Sequence, residues 1–252
     1  DAGPTPIPES PIAAPELGHI HGLGVDPEDG TLVIGSHAGI YTLAADGEPV
    51  LVSEVQDFMG FTVVGPRHYL ASGHPGAHQD GPGAVGLLES TDGGRTWETV
   101  SLAGEADFHA LDARGDRVYG LNSLSGSLAV SDDAGATWTE LPVPPMADAA
   151  VSPDTADTLI ITTEQGPALS TDGGVTFAVM PGAPVVIYLD WAPDGTLVGL
   201  DPDGGVHRSL DGGATWETRG RLGAAPEGLD AASADRILAA AGGAVLESTD
   251  GG

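Results

Sequence analysis

The residues of this chain best suited to chemistry are mostly histidines, and they fall early. His19 and His21 stand two apart in HIHGL, His37 lies in SHAG, His74 in SGHPG and His109 in DFHAL, with Met59 in DFMGF. Neutral imidazole is a ligand for zinc, copper, iron and nickel, and a thioether selects for copper, Cu(I) above all. The chain has 8 His, 3 Met and no Cys, which excludes thiolate sites, disulfides and cysteine nucleophiles. A His-rich set with one Met therefore points to copper first, with zinc as the alternative. Asp57 and Asp107 precede Met59 and His109 by two residues. Such carboxylates orient a metal-binding imidazole by accepting its second N–H. Whether these side chains meet depends on the elements that carry them.

Those elements are set by a repeat. Ser-x-Asp-x-Gly-x-Thr-(Trp/Phe) occurs as STDGGRTW from Ser90, SDDAGATW from Ser131, STDGGVTF from Ser170 and SLDGGATW from Ser209; a fifth copy, STDGG, starts at Ser248. The central aspartates Asp92, Asp133, Asp172, Asp211 and Asp250 are spaced by 41, 39, 39 and 39 residues. A step of about 40 residues is one four-stranded blade of a β-propeller. Each Asp can accept backbone N–H bonds within a tight turn, and Gly supplies the positive φ such turns need. These aspartates are therefore structural, and the aromatic that follows is expected to pack into the blade.

Short apolar, often β-branched runs bounded by Gly and Asp precede each copy and read as strands. The predicted fold is an all-β, six-bladed propeller with a single domain over 17–252. Its blades cover approximately 17–56, 57–104, 105–144, 145–183, 184–224 and 225–252. The first blade lacks a complete copy of the repeat, and the last lacks its outer strand, being either incomplete or closed by the N-terminal segment. Aligning the innermost strands on Leu23, Phe61, Leu111, Ala149, Leu189 and Leu229 puts His21, Met59 and His109 at one level of the first three blades. His19, Asp57 and Asp107 fall two residues earlier, on the same face of each strand. Antiparallel pairing brings His37 and His74 to the same channel mouth. The expected metal ligands are thus His19, His21, His37, Met59, His74 and His109. Asp57 and Asp107 would orient the imidazoles, and Glu227 of the sixth blade would approach the ring from its other side. His68 and His207 are expected to lie in solvent away from this mouth.

Composition narrows the partners. There are 37 acidic residues against 8 basic ones, a formal charge of −29, which disfavours nucleic acid and anionic lipid. No apolar run reaches the ~18 residues a transmembrane helix requires. Residues 1–16 hold five prolines without periodicity and read as an extended tether of the kind that follows an export or lipoprotein cleavage site. The expected location is extracytoplasmic, secreted or lipid-anchored.

Turns of this form, known as Asp boxes, resemble those of sialidases, sortilin-type receptors and the photosystem assembly propellers. HIHGLGVDP, DFMGF, ASGHPG and DFHAL look like segments of an exported bacterial BNR-repeat family often labelled glycosyl hydrolase by similarity. That resemblance implies a propeller, and for sialidases a trio of inner-strand arginines with a Tyr–Glu pair; neither is visible in this sequence. Three functions follow. The first is an exported metal-binding propeller for copper binding, storage or delivery. The second is a glycan-acting hydrolase using carboxylates such as Asp57 and Asp107, and the third is a scaffold that binds a partner protein on the channel face.

Overall fold

A computed structural model describes residues 12–13, 17–44 and 47–252. Every regular element among them is a β-strand, in six four-stranded antiparallel sheets. This is the six-bladed β-propeller that the repeat predicts. No helix among the described residues is long and apolar enough to cross a membrane. Of the segment read as a tether, only strand β1 (Ile12–Ala13) is described, and it answers how the last blade is completed: it forms the outer strand of the sixth sheet. The rest of 1–16 lies outside the described residues.

The chain divides into two compact units. Residues 14–143 hold three sheets. The first is β2 (Ile20–Val25), β3 (Leu32–Ser36), β4 (Gly39–Leu43) and β5 (Pro49–Leu51), and the second is β6 (Asp57–Gly65), β7 (His68–His74), β8 (Leu87–Ser90) and β9 (Glu98–Ser101). The third is β10 (Phe108–Arg114), β11 (Arg117–Asn122), β12 (Ser127–Ser131) and β13 (Thr139–Leu141). In each, successive strands pair in sequence order.

The first strands β2, β6 and β10 pack side by side because small residues let their backbones close in. A Cβ on Gly22 would come within 2.6 Å of the Phe61 Cβ, and one on Gly60 within 2.4 Å of the Phe108 carbonyl oxygen. Ser72 Oγ accepts the Phe108 N–H at 2.9 Å, tying the second sheet to the third. Between the sheets Val33, Ile40, Phe58, Phe61, Tyr69 and Leu88 form one core cluster. Leu70, Leu87, Phe108 and Leu111 lie in the next.

The second unit, residues 144–252 with β1, repeats the plan. Its sheets are β14 (Met146–Val151), β15 (Leu159–Thr163), β16 (Ala168–Ser170), β17 (Ala178–Val179); β18 (Tyr188–Trp191), β19 (Leu197–Leu200), β20 (Gly205–Ser209), β21 (Glu217–Arg221); and β22 (Pro226–Ala231), β23 (Ile237–Ala241), β24 (Ala244–Ser248) with β1. Here the first strands are clamped by carboxylates reaching to the next sheet. Asp148 accepts the Leu189 N–H at 2.9 Å, and Asp190 accepts the Ala231 N–H at 2.6 Å.

The repeated turns occur in both units with the same hydrogen bonds. In the first, Asp92 Oδ1 accepts the N–H groups of Arg95 and Thr96 at 3.0 Å and the Ser90 hydroxyl at 2.9 Å, while Oδ2 accepts the Thr96 hydroxyl at 2.7 Å. Partial burial would raise the Asp92 pKa, but these donors outweigh it and hold it at about 2. Each box aromatic ends the turn, immediately before the next strand. Trp97 packs on Phe58 at 5.1 Å and Trp138 on Phe108 at 4.9 Å between ring centroids.

Candidate metal centre

Three histidines come together at the start of the first sheet. His19 immediately precedes β2, and His21 is its second residue. His37 occupies the two-residue turn between β3 and β4, where its N–H bonds the His19 carbonyl at 3.2 Å. Because β3 runs antiparallel to β2, its end at Ser36 lies opposite Ile20, so the residue that follows meets those that open the sheet. His19, His21 and His37 each offer a nitrogen, and those atoms all lie within 4.8 Å of one another. The ring centroids of His21 are 4.7 Å from His19 and 4.5 Å from His37. Among the described residues this is the one set of three or more His, Cys, Asp or Glu side chains so arranged.

Irregular pairing aims the middle ligand. The β2–β3 register shifts between Ile20 and Gly22, so His21 sits on a β-bulge. Met59 in β6 and His109 in β10 occupy matching bulges, between Phe58 and Gly60 and between Phe108 and Ala110. Bulges re-aim side chains and recur beside functional sites. The level shared by His21, Met59 and His109 in sequence is therefore a row of bulges.

Protonation favours ligation at the centre. Burial, then the neighbouring His37 and His19, push the His21 pKa down to about 4, so its imidazole is neutral at neutral pH. Its Nε2 lies 3.0 Å from His37 Nε2. Two nitrogens bound to one ion at about 2.0–2.1 Å each are about 3.0 Å apart when they subtend roughly a right angle. His37 Nδ1–H donates to Asp57 Oδ1 at 2.7 Å, which fixes the tautomer that exposes its Nε2 lone pair.

Asp57 opens β6 opposite His74, the last residue of β7. Its second oxygen, Oδ2, accepts His74 Nδ1–H at 3.1 Å. The His74 Nε2 in turn faces Asp107 Oδ2 at 3.5 Å. Asp107 Oδ2 also accepts His109 Nε2–H at 2.8 Å and the Ser123 hydroxyl at 2.7 Å. The Asp107 hydrogen bond raises the His109 pKa against the effect of burial. Burial would raise the pKa of Asp107 itself, yet His109 and Ser123 bring it below the usual carboxylate value.

The six expected ligands thus divide. His19, His21 and His37 form one group, and His74 and His109 gather on Asp107. Met59 stands half-buried on its bulge. Glu227 belongs to the other unit, where its carboxylate accepts the Gly243 N–H at 3.0 Å. Of the two histidines expected in solvent, His68 is 40% exposed at its side chain and His207 far less. His68 bonds Glu89 at 2.7 Å, and His207, only 12% exposed at its side chain, bonds Asp201 at 2.9 Å.

The second unit holds a feature that sequence reasoning missed. Tyr188 in β18 lies in the field of Asp148 and Glu227, and burial followed by those carboxylates pushes its hydroxyl up to about 12. A Tyr–Glu neighbourhood therefore exists, but with a phenol held protonated rather than activated as a nucleophile. Arg114 is the exposed last residue of β10, at the strand edge.

No family model matches this chain, and no curated protein does. Solved structures match its fold. A gluconolactonase from Xanthomonas campestris aligns over 99% of this chain and 96% of its own, at 12% identity and a TM-score of 0.75. A GH74 enzyme from Niastella koreensis aligns over 96% of this chain at 18% identity and a TM-score of 0.70; this chain spans 45% of that enzyme's length. YCF48 bound to D1 peptide aligns over 98% of this chain and 85% of its own, at 19% identity and a TM-score of 0.58. The class defined is thus a β-propeller. At these identities the likeness is one of fold, and fold does not carry function with it.

Proposed function

We propose that this protein is a metal-binding β-propeller that takes up a transition-metal ion on His19, His21 and His37. The observation that carries this reading is the convergence of three imidazole nitrogens within 4.8 Å, one of them held neutral. An all-nitrogen set suits copper and zinc alike, and among divalent ions such a site binds copper more tightly. Copper is thus the first candidate and zinc the second. His19 and His37 are exposed, so an ion here is accessible to exchange, as binding, storage or delivery outside the cytoplasm requires. Titration calorimetry with Cu(II) and with Zn(II) tests the reading. Uptake that disappears in His21→Ala and His37→Ala supports it; absent uptake, or uptake indifferent to both changes, refutes it.

A second reading, hydrolysis of a sugar-derived substrate, draws support from the likeness to a gluconolactonase and a GH74 enzyme. Three protein ligands leave a coordination position for a water, which a bound metal acidifies into a nucleophile. Free carboxylate catalysis is less favoured, because Asp57 and Asp107 are both engaged by imidazoles. Hydrolysis of lactones or glycosides that needs added metal and stops with chelator would support this reading. Inactivity of the metal-loaded protein on both substrate classes would remove it.

A further inference from the structure

We propose that the protein holds a second cation, on His74 Nε2 and the Asp107 carboxylate, separate from the three-histidine position but linked to it through Asp57. The inference rests on the same metal-binding reading and adds to it a site with its own ligands.

The argument begins with protons. Asp57 accepts His37 Nδ1 at 2.7 Å through one oxygen and His74 Nδ1 at 3.1 Å through the other. An ionised carboxylate has no hydrogen to give, so both rings must carry theirs on Nδ1. With both rings neutral, a single aspartate presents two Nε2 lone pairs. That of His37 faces the first ion position. The Nε2 of His74 faces Asp107 Oδ2 at 3.5 Å. In the neutral ring this sets a nitrogen lone pair against a carboxylate oxygen with nothing of positive charge between them. Two ligand atoms 3.5 Å apart fit one ion at about 2.1 Å from each, at an angle of roughly 110°, close to tetrahedral.

Asp107 supplies an independent sign. Its side chain is 5% exposed. Oδ2 takes the His109 and Ser123 donors, but Oδ1 is buried with no hydrogen-bond partner. A buried carboxylate oxygen without a partner is costly, and an ion held by both oxygens removes that cost. His109 and Ser123 fix the plane of the carboxylate, and Asp57 fixes the imidazole of His74. Both protein ligands are thus oriented by groups outside the ion's own shell, as established metal sites are. A mixed nitrogen and oxygen pair, completed by water, suits Zn(II) or Cu(II). With two protein ligands against three, this position binds more weakly than the first.

Calorimetric titration of the full chain with Zn(II), and with Cu(II) followed by electron paramagnetic resonance, tests this directly. Two equivalents are expected, the weaker one giving a mixed nitrogen–oxygen spectrum. Asp107→Asn and His74→Ala should each remove the weaker equivalent and leave the tighter one. His74 is 41% exposed at its side chain, so its replacement tests the site without emptying a core. A single equivalent that depends on His19, His21 and His37 would overturn this inference while leaving the first position standing. A second equivalent unchanged in both variants would also overturn it. No uptake at all would overturn both.

Discussion

The two units of this protein are built alike and differ in what their first strands carry. Both have three four-stranded sheets and the same Ser–Asp turns. In residues 14–143 the strands that open the sheets bear His21, Asp57, Met59 and His109, with His19 and Asp107 immediately before β2 and β10. In residues 144–252 they bear Asp148, Tyr188, Asp190 and Glu227. The physics acting on the two groups is the same: burial disfavours charge. It lowers His21 to about 4 and raises Asp148 to about 7. The consequences are opposite. A neutral imidazole keeps the lone pair a metal would need, whereas Asp148, its charge opposed by burial, is engaged in accepting the Ala149 N–H and the Leu189 N–H that holds the next sheet's backbone. On the proposed reading, the same environment makes a metal ligand of histidine and a structural clamp of aspartate.

The contrast can be broken most sharply by deleting ligands in one unit and a carboxylate in the other. His21→Ala and His37→Ala should each weaken metal binding by more than about 100-fold, beyond the loss usual for an orienting partner. Glu227→Gln, whose amide oxygen can still accept the Gly243 N–H, should leave the affinity unchanged by calorimetry. A smaller loss, about 10–100-fold, is expected for Asp57→Asn. The amide has one accepting oxygen where the carboxylate has two. Its NH2 group must therefore face one of the two rings, turning that ring's tautomer and protonating the Nε2 that would bind.

Protonation sharpens the comparison within the first unit. The His21 pKa is lowered in the folded protein, so the unfolded chain takes its proton first and stability is lost as pH falls from about 6.5 towards 4. The His109 pKa is raised, so its contribution is present below the unfolded value and lost as pH rises through the folded one. Denaturant titrations of the metal-free protein between pH 7.5 and pH 5 should therefore show opposite changes. His21→Ala should flatten the acid-side decline, and His109→Ala should steepen it. The smallest effect is expected at the turns, where the units do not differ. Asp92→Ala removes four accepted hydrogen bonds and should cost about 1 kcal/mol, as loss of a cap does. Asp172→Ala should lower the thermal midpoint comparably. Because the Asp92 pKa is depressed to about 2, its stabilisation is present above about 3.8 and lost as pH falls through 2.

How much of this was legible in sequence follows from which contacts are local. The turns are local: Ser90, Asp92, Gly94 and Thr96 bond among themselves, so five copies about 40 residues apart make the blades legible in sequence. The level of His21, Met59 and His109 was legible too, because it is a feature of strand register. The partition of that level was not. Whether His109 joins His21 or Asp107 depends on rotamers at three bulges, and bulges leave no mark in strand alternation. That His37 lies near His19 was legible because antiparallel pairing sets the end of β3 beside the start of β2. The bond between His207 and Asp201 was missed because the hairpin that joins them carries no polar pattern apart from Gly and Asp. Tyr188 and its carboxylates come from three different sheets, a juxtaposition that spacing alone does not encode.

The central claim is that the ion belongs to His19, His21 and His37. Crystals grown with copper or zinc, with data collected on either side of the metal's absorption edge, test it most directly. The account predicts an anomalous peak about 2.0–2.1 Å from Nε2 of both His21 and His37, with His19 completing the protein's ligands. A peak among Asp148, Asp190 and Glu227, or none at the three histidines under saturating metal, would contradict it.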